Sequence, residues 1–257
     1  KRRVRTIVVN NQKGGVGKTM LAVHLAWFLA EEHGARVLFV DLDPQANASY
    51  TLDAERKGGI SSALFFGPDV QIEGLPGITV LRADEKLHSV EQHINTAVPA
   101  MAKRFAALKE QFDYCIVDTP PTWGGRNFAA LLVTDYVISP IDLEDYSLQG
   151  VGTLRKQVKL VEDQARGGRR IGFLGLLPSR LISNSPRQRE NLKTLINQGG
   201  TSLMFEGVIT QRQGYAEALS TKTPVWTIKK SAAQDAGREL RGVLATIKDR
   251  MAAPVAA

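Results

Sequence analysis

The stretch Asn11-Gln12-Lys13-Gly14-Gly15-Val16-Gly17-Lys18-Thr19 constrains this chain more than any other. Ahead of it, residues 6–10 (Thr-Ile-Val-Val-Asn) form a short apolar run that suits a buried parallel strand. Behind it, residues 20–29 (Met-Leu-Ala-Val-His-Leu-Ala-Trp-Phe-Leu) are apolar for long enough to make a helix. Strand, glycine-rich loop and helix in that order are what a phosphate-binding loop requires. The glycines let the backbone curl so that successive N–H groups point inward, with the positive end of the helix behind them. The pattern therefore predicts phosphate contacts along Gly14, Gly15, Val16, Gly17, Lys18, Thr19 and Met20. Lys18 would reach the β- and γ-phosphates, and the Thr19 hydroxyl would take a coordination position on Mg²⁺.

Two later strands end in carboxylates. Residues 36–40 (Arg-Val-Leu-Phe-Val) deliver Asp41 and Asp43, which lie two apart and so share a side at the carboxyl edge, where α/β sites are built. An Asp-Pro pair such as Asp43-Pro44 is also an ordinary turn signal. Residues 114–117 (Tyr-Cys-Ile-Val) run into Asp118, the placement a ligand to a magnesium-bound water needs.

The rest of the chain alternates in the same way. Residues 51–77 are punctuated by glycine and proline and hold one short helix candidate at 60–65. A strand is expected at 78–81, then a long helical stretch from 85 to 110 broken by Pro99. Further strands are expected at 136–140, 171–177 and 204–209, and helices at 129–133, 147–166 and 185–197, the last carrying Arg187, Arg189 and Lys193. The final helix, from 231 to about 251, sets Leu240, Val243, Leu244, Ile247 and Met251 on one stripe.

Length and composition set outer bounds. A chain of 257 residues with 43% hydrophobic content can bury a large core, and a single domain over 1–257 is expected. No apolar run approaches the roughly 18 residues of a membrane span, and no cleavable signal follows the basic start, so a cytoplasmic location is expected. The single cysteine, Cys115, excludes a disulfide framework and a thiolate metal site. Lys and Arg number 33 against 26 Asp and Glu, a net charge of +7 that favours a polyanion such as nucleic acid or an acidic membrane surface.

With Lys13 at its front, KGGVGKT resembles the deviant Walker A box of the ParA/MinD family of dimerising ATPases. VDLDPQANAS (40–49) resembles that family's switch I, usually written Asp-Pro-Gln-Gly-Asn, and YCIVDTPP (114–121) resembles its Walker B and switch II. Residues 141–150 are similar to the loop that places an acidic residue, here Glu144, toward the nucleotide partner. Residues 210–218, ending Ala-Glu-Ala, are similar to the base-binding loop. The resemblance implies a P-loop NTPase fold of the α/β class, a doubly wound, mainly parallel sheet flanked by helices on both faces. It implies ATP and Mg²⁺ as cofactors, with Thr19, Asp41 and Asp118 serving the metal and its water shell. Asp43 would orient or deprotonate the attacking water, and Lys13 would cross a homodimer interface to the partner's phosphates, as an arginine finger does. It further implies nonspecific double-stranded DNA binding, with Arg212, Lys229, Lys230, Arg238 and Arg241 as the candidates. The expected partner is a ParB-type centromere-binding protein that stimulates hydrolysis, in plasmid or chromosome partition on the nucleoid. Three positions depart from the pattern: Met20 where a second Thr is usual, Thr210 where Pro is usual, and Trp123 ahead of Gly124-Gly125.

Two rivals share the scaffold. A MinD-like membrane-associated positioning ATPase needs a C-terminal amphipathic helix with bulky apolar residues and a basic face. The last helix carries Arg238, Arg241, Lys248 and Arg250 but neither Trp nor Phe, so it is expected to dock on the domain, with no membrane partner. An amidoligase or dethiobiotin-synthase type enzyme would not need Lys13 together with a basic DNA face. Reductase and tail-anchor relatives need paired cysteines for iron–sulfur or zinc, and one cysteine permits neither.

Overall fold

The computed structural model describes residues 3–10, 13, 17–145 and 148–255. Among these residues, seven strands form one parallel sheet in the order β3-β4-β2-β5-β1-β6-β7. The central strands are β1 (Arg5–Val9), β2 (Arg36–Asp41) and β5 (Tyr114–Asp118), buried on both faces and hence apolar without alternation. The outer strands are β3 (Arg56–Ile60) and β4 (Gly77–Arg82) on one side, β6 (Tyr136–Asp142) and β7 (Gly172–Ser179) on the other. The doubly wound, parallel arrangement expected from the sequence is the one observed.

Each strand is followed by a crossover that carries helices to one face or the other. One face is covered by α1 (Lys18–His33), with the short α2 (Asn47–Thr51) beside it. The opposite face takes α3 (Ala63–Phe66), α4 (Ile94–Leu108), α5 (Gly125–Val133) and α6 (Leu148–Ala165). Beyond β7 comes α7 (Pro186–Gly199), whose Leu195 packs with Ile141, Leu143 and Leu176 in a third cluster. The chain then returns to the first face through α8 (Gln213–Thr221) and α9 (Ser231–Ala252). Leu240, Val243, Leu244, Ile247 and Met251 of α9 are all buried in the α1-side core, so this helix docks on the domain along the stripe its sequence shows. Among the described residues no helix is long and apolar enough to cross a membrane.

Three expectations need correction. Residues 56–60 form an edge strand, and the helix candidate at 60–65 shrinks to Ala63–Phe66. The Gly58-Gly59 pair masked β3, which pairs with β4 alone and has charged, exposed residues of the kind that blunt a sheet edge. Pro99 does not break its helix. It lies just past the first turn of α4, where a missing N–H forfeits only the bond to Asn95, and the break falls at His93 (φ −133°), between a 3₁₀ run over Glu85–Gln92 and α4. Residues 204–209 are not a full strand. Phe205 and Ile209 donate to the carbonyls of Leu176 and Pro178 at 2.9 and 2.8 Å, but only isolated bridges result. Pro178 offers no N–H in return, and β7 bulges at Gly175 (φ +123°), where a Cβ would fall 2.5 Å from the Phe205 nitrogen.

Candidate functional site

The carboxyl ends of β1, β2 and β5 meet in register, Val9 beside Asp118 and Asp118 beside Asp41. This is the crevice an open α/β sheet offers to a ligand. Gly17 takes a left-handed conformation (φ +81°) that turns the chain into α1, so Lys18 and Thr19 are the helix's first two residues. Their side chains converge on Asp118. The Lys18 ammonium lies 2.7 Å from Asp118 Oδ1 and also donates to the Thr119 carbonyl. The Thr19 hydroxyl donates to Asp118 Oδ2 at 3.0 Å. Met20 is buried in the α1-side core and lines the cleft. Gly14, Gly15 and Val16, which complete the predicted loop, lie outside the described residues.

Asp41 and Asp43 divide their tasks. Asp41 is fully buried, accepting from the Asp43 amide at 3.1 Å through Oδ1 and from the Ser49 amide and hydroxyl at 2.9 and 2.6 Å through Oδ2. Burial and the neighbouring Asp118 charge push its carboxyl up to about 7. It thus fastens switch I and α2 to the sheet. Asp43 lines the cleft and accepts from the Gln45 amide at 3.0 Å. Asp43-Pro44 makes the turn that such a pair signals, because the Ala46 amide donates to the Asp43 carbonyl at 2.8 Å. Ala46 itself is left-handed (φ 58°), a conformation that suits the glycine of the family pattern better.

A cleft of about 990 Å³ runs from these groups to the loop after residue 208. Lys13, Lys18, Thr19 and Asp43 line one part of it, and Tyr50, Tyr215 and residues 209–213 line another. Thr210 and Arg212 are tied to α9 through Glu239, with the Thr210 hydroxyl at 2.6 Å and the Arg212 Nε at 2.8 Å. Lys13 is held within its own chain: its ammonium lies 3.1 Å from the Asp145 carboxylate and donates to the Asp145 carbonyl at 3.3 Å. Glu144 accepts from the Ser185 hydroxyl at 3.0 Å and lies 3.6 Å from Arg187, so it fixes the start of α7.

Switch II is stapled at three points that the sequence does not advertise. The Thr119 hydroxyl donates to the Val9 carbonyl at 3.2 Å, and the buried Asn127 amide donates to the Pro120 carbonyl at 2.9 Å. Glu91, from the 3₁₀ run, accepts from the Gly125 amide at 2.8 Å and from Arg126 at 3.3 Å. A Cβ on Gly124 would fall 2.7 Å from the Glu91 carboxylate and one on Gly125 2.9 Å from Ile94, so a side chain at either position would make its neighbour shift. Trp123 packs against the α4-side core, edge-on to Phe128.

Four of the five C-terminal cations face carboxylates: Arg212 meets Glu239 at 2.8 Å, Lys230 meets Glu217 at 2.7 Å, Arg241 meets Glu32 at 2.6 Å, and Arg238 meets Asp235. Lys229 makes no ion pair among the described residues.

The chain's likenesses agree with this geometry. An AAA domain family model (AAA_31) matches residues 4–169. Protein IncC of Escherichia coli is 38% identical over 248 residues, covering 93% of this chain and 68% of its own length. The chain belongs to the ParA/Soj family of partition ATPases. The chromosome-partitioning ATPase Soj of Thermus thermophilus is 37% identical over 179 residues, covering 68% of this chain and 69% of its own. Among solved structures, the ATP complex of a McdA variant from Cyanothece shares the fold with a TM-score of 0.77 at 23% identity, covering 96% of this chain and 98% of that one. As a ParA/Soj-type ATPase, the chain sets a lysine, a hydroxyl and a carboxylate around one point at the head of α1, the arrangement phosphoryl transfer requires.

Proposed function

We propose that this chain is an ATP-dependent dimerising ATPase that binds DNA without sequence preference and acts in plasmid or chromosome partition with a ParB-type partner. The observation that carries the nucleotide half is the convergence of Lys18 and Thr19 on Asp118 beside Asp43, at the positive end of α1. Partition proteins among its relatives support the rest.

The donor set suits the groups it would hold. Lys18 and the backbone amides from Gly14 to Met20 would hold the phosphates, Lys18 exchanging part of its bond to Asp118 for phosphate oxygens. Thr19 and Asp118 present hydroxyl and carboxylate oxygens, hard ligands of the kind Mg²⁺ prefers, with Asp41 fixing the loop behind them. Bound there, the metal would offset charge on the transferring phosphoryl group. Asp43 orients the attacking water, and Lys13 supplies a cation to the partner's site. The protein would work in the cytoplasm on the nucleoid. A membrane role is disfavoured because the apolar stripe of α9 is spent inside the core.

The test is binding to a nonspecific duplex with ATP, with ADP and without nucleotide, using Asp43→Ala to hold the ATP state. Tight, salt-sensitive binding with ATP alone is expected. No binding in any nucleotide state at low salt would refute the DNA half of the reading.

A further inference from the structure

Charge is unevenly distributed along the chain. Residues 148–199, from the start of α6 to the end of α7, hold ten Lys and Arg against three Asp and Glu, an excess of seven. The other residues hold 23 of each, so the whole net charge of +7 resides in this fifth of the sequence. Arg155 and Lys156 on α6 are exposed while Leu154, Val158 and Val161 of the same helix face the core. Arg189 and Lys193 on α7 are exposed one turn apart while Leu195 is buried. Val151 of α6 and Leu192 and Leu195 of α7 share one apolar cluster built on Ile141 and Leu176, so the two helices flank the same β6–β7 edge of the sheet. Arg169 and Arg170, exposed in the turn after α6, add to the same excess. Among the described residues none of these six cations makes an ion pair, whereas four of the five C-terminal candidates do.

We propose that the α6–α7 face is the surface on which the phosphate backbone of double-stranded DNA docks. The inference rests on the reading that the ATP-bound protein binds DNA, and it moves the contact away from α9. DNA is favoured over an anionic membrane because neither helix carries an aromatic residue and the main apolar residues of both are turned into the protein. Both helices are also fixed to the loop that holds Lys13. Glu144 accepts from Ser185 ahead of α7, and α6 begins three residues after Asp145.

The experiment compares duplex affinity against salt for the ATP-held Asp43→Ala protein and for three double variants in that background: Arg155→Ala/Lys156→Ala, Arg189→Ala/Lys193→Ala and Arg238→Ala/Arg241→Ala. The first two are expected to lose about tenfold in affinity each and to lower the salt slope by about two, one per phosphate contact removed. The third is expected to change neither. All four proteins should unfold at closely similar temperatures, since the changes are at the surface. Duplex binding by the parent that persists unchanged in the α6 and α7 variants would overturn this surface and leave the DNA reading standing. No duplex binding by the parent would overturn both. Binding of phosphatidylglycerol vesicles in place of duplex, lost in the same variants, would overturn it in favour of a membrane.

Discussion

Lys18 and Asp118 form a pair almost wholly shut off from water, with side chains 8% and 1% exposed. Removing one member of such a pair leaves the other charge buried and uncompensated, which typically costs 3–5 kcal/mol. Asp41 cannot stand in, because both its oxygens are already engaged by Ser49 and the Asp43 amide. Asp118→Ala should therefore destabilise the protein by roughly 3–5 kcal/mol in urea unfolding and abolish ATP hydrolysis; a loss below about 1 kcal/mol would contradict the pair's buried character. His24, six residues along α1 from Lys18, gives a pH test. It is fully buried, Nδ1 bonding the Met20 carbonyl at 2.8 Å and Nε2 accepting from the Val225 amide at 3.1 Å. Trp27 and Trp226 flank the ring, and the charges against them, Glu55 on Trp27 and Glu31 and Arg241 on Trp226, contact the indoles rather than the histidine. Burial lowers its pKa to about 4, so the fold holds the neutral ring while the unfolded chain takes up a proton near 6.5. Stability from this residue is complete above pH 6.5 and is lost as pH falls from there toward 4, by about 3 kcal/mol in all. The difference in unfolding free energy between wild type and His24→Gln should shrink over that interval. A difference independent of pH would show that the buried imidazole does not stay neutral.

At the scale of elements, switch II depends on a residue far from it in sequence. Glu91 holds the Gly125 amide, and through that grip it sets where the chain from Asp118 to Gly124 lies. Glu91→Ala should lower kcat several-fold while leaving KM for ATP nearly unchanged. Glu91→Gln, which still accepts from Gly125, should restore most of kcat. Equal loss in both variants, or a lowered melting temperature with kcat intact, would assign Glu91 a structural role alone. Nothing local in Glu91 announces this, since its partner is 34 residues away and a glutamate in a polar 3₁₀ run looks like ordinary solvated surface. The elements carrying Lys18, Asp43 and Asp118 were legible for the opposite reason. Each lies in or just after a buried parallel strand of continuous apolar residues, Asp118 closing β5, Asp43 two residues beyond β2 and Lys18 heading α1 after the loop from β1, so strand, loop and side chain are read from one short window. Residues 51–77 and 204–209 were illegible where pairing replaced pattern. β3 exists because β4 offers an edge, and 204–209 stays irregular because of Pro178 and the Gly175 bulge in the strand it runs beside. The charge partners of Arg212, Lys230 and Arg241 likewise come from other elements and cannot be read along the chain.

For the whole molecule the proposed ATP-driven dimer raises the question of what keeps two copies apart until nucleotide is bound. Lys13, the residue expected to cross between copies, is paired with Asp145 of its own chain at 3.1 Å, and both side chains are more than half exposed. An exposed pair of this kind contributes about 0.2–1 kcal/mol and weakens with salt. That is too little to lock the lysine, but enough to hold it in place and bias its choice of partner. In the proposed dimer a second copy presenting a triphosphate would offer several negative charges against the Asp145 carboxylate, so the exchange would favour pairing once ATP is bound. Asp145→Asn should therefore leave ATP binding to the monomer unchanged and lower the protein concentration needed for ATP-driven dimerisation by up to about thirtyfold, since each of the two copies gives up one pair of up to about 1 kcal/mol. Raising the salt should narrow the gap between variant and wild type, because screening weakens the same pair in the wild type. Lys13→Ala should bind ATP and remain monomeric at every concentration reached in light scattering. Dimers in Lys13→Ala would remove the lysine from the interface, whereas an unchanged midpoint in Asp145→Asn alongside a monomeric Lys13→Ala would leave the crossing lysine intact and dismiss only the hold that Asp145 has on it.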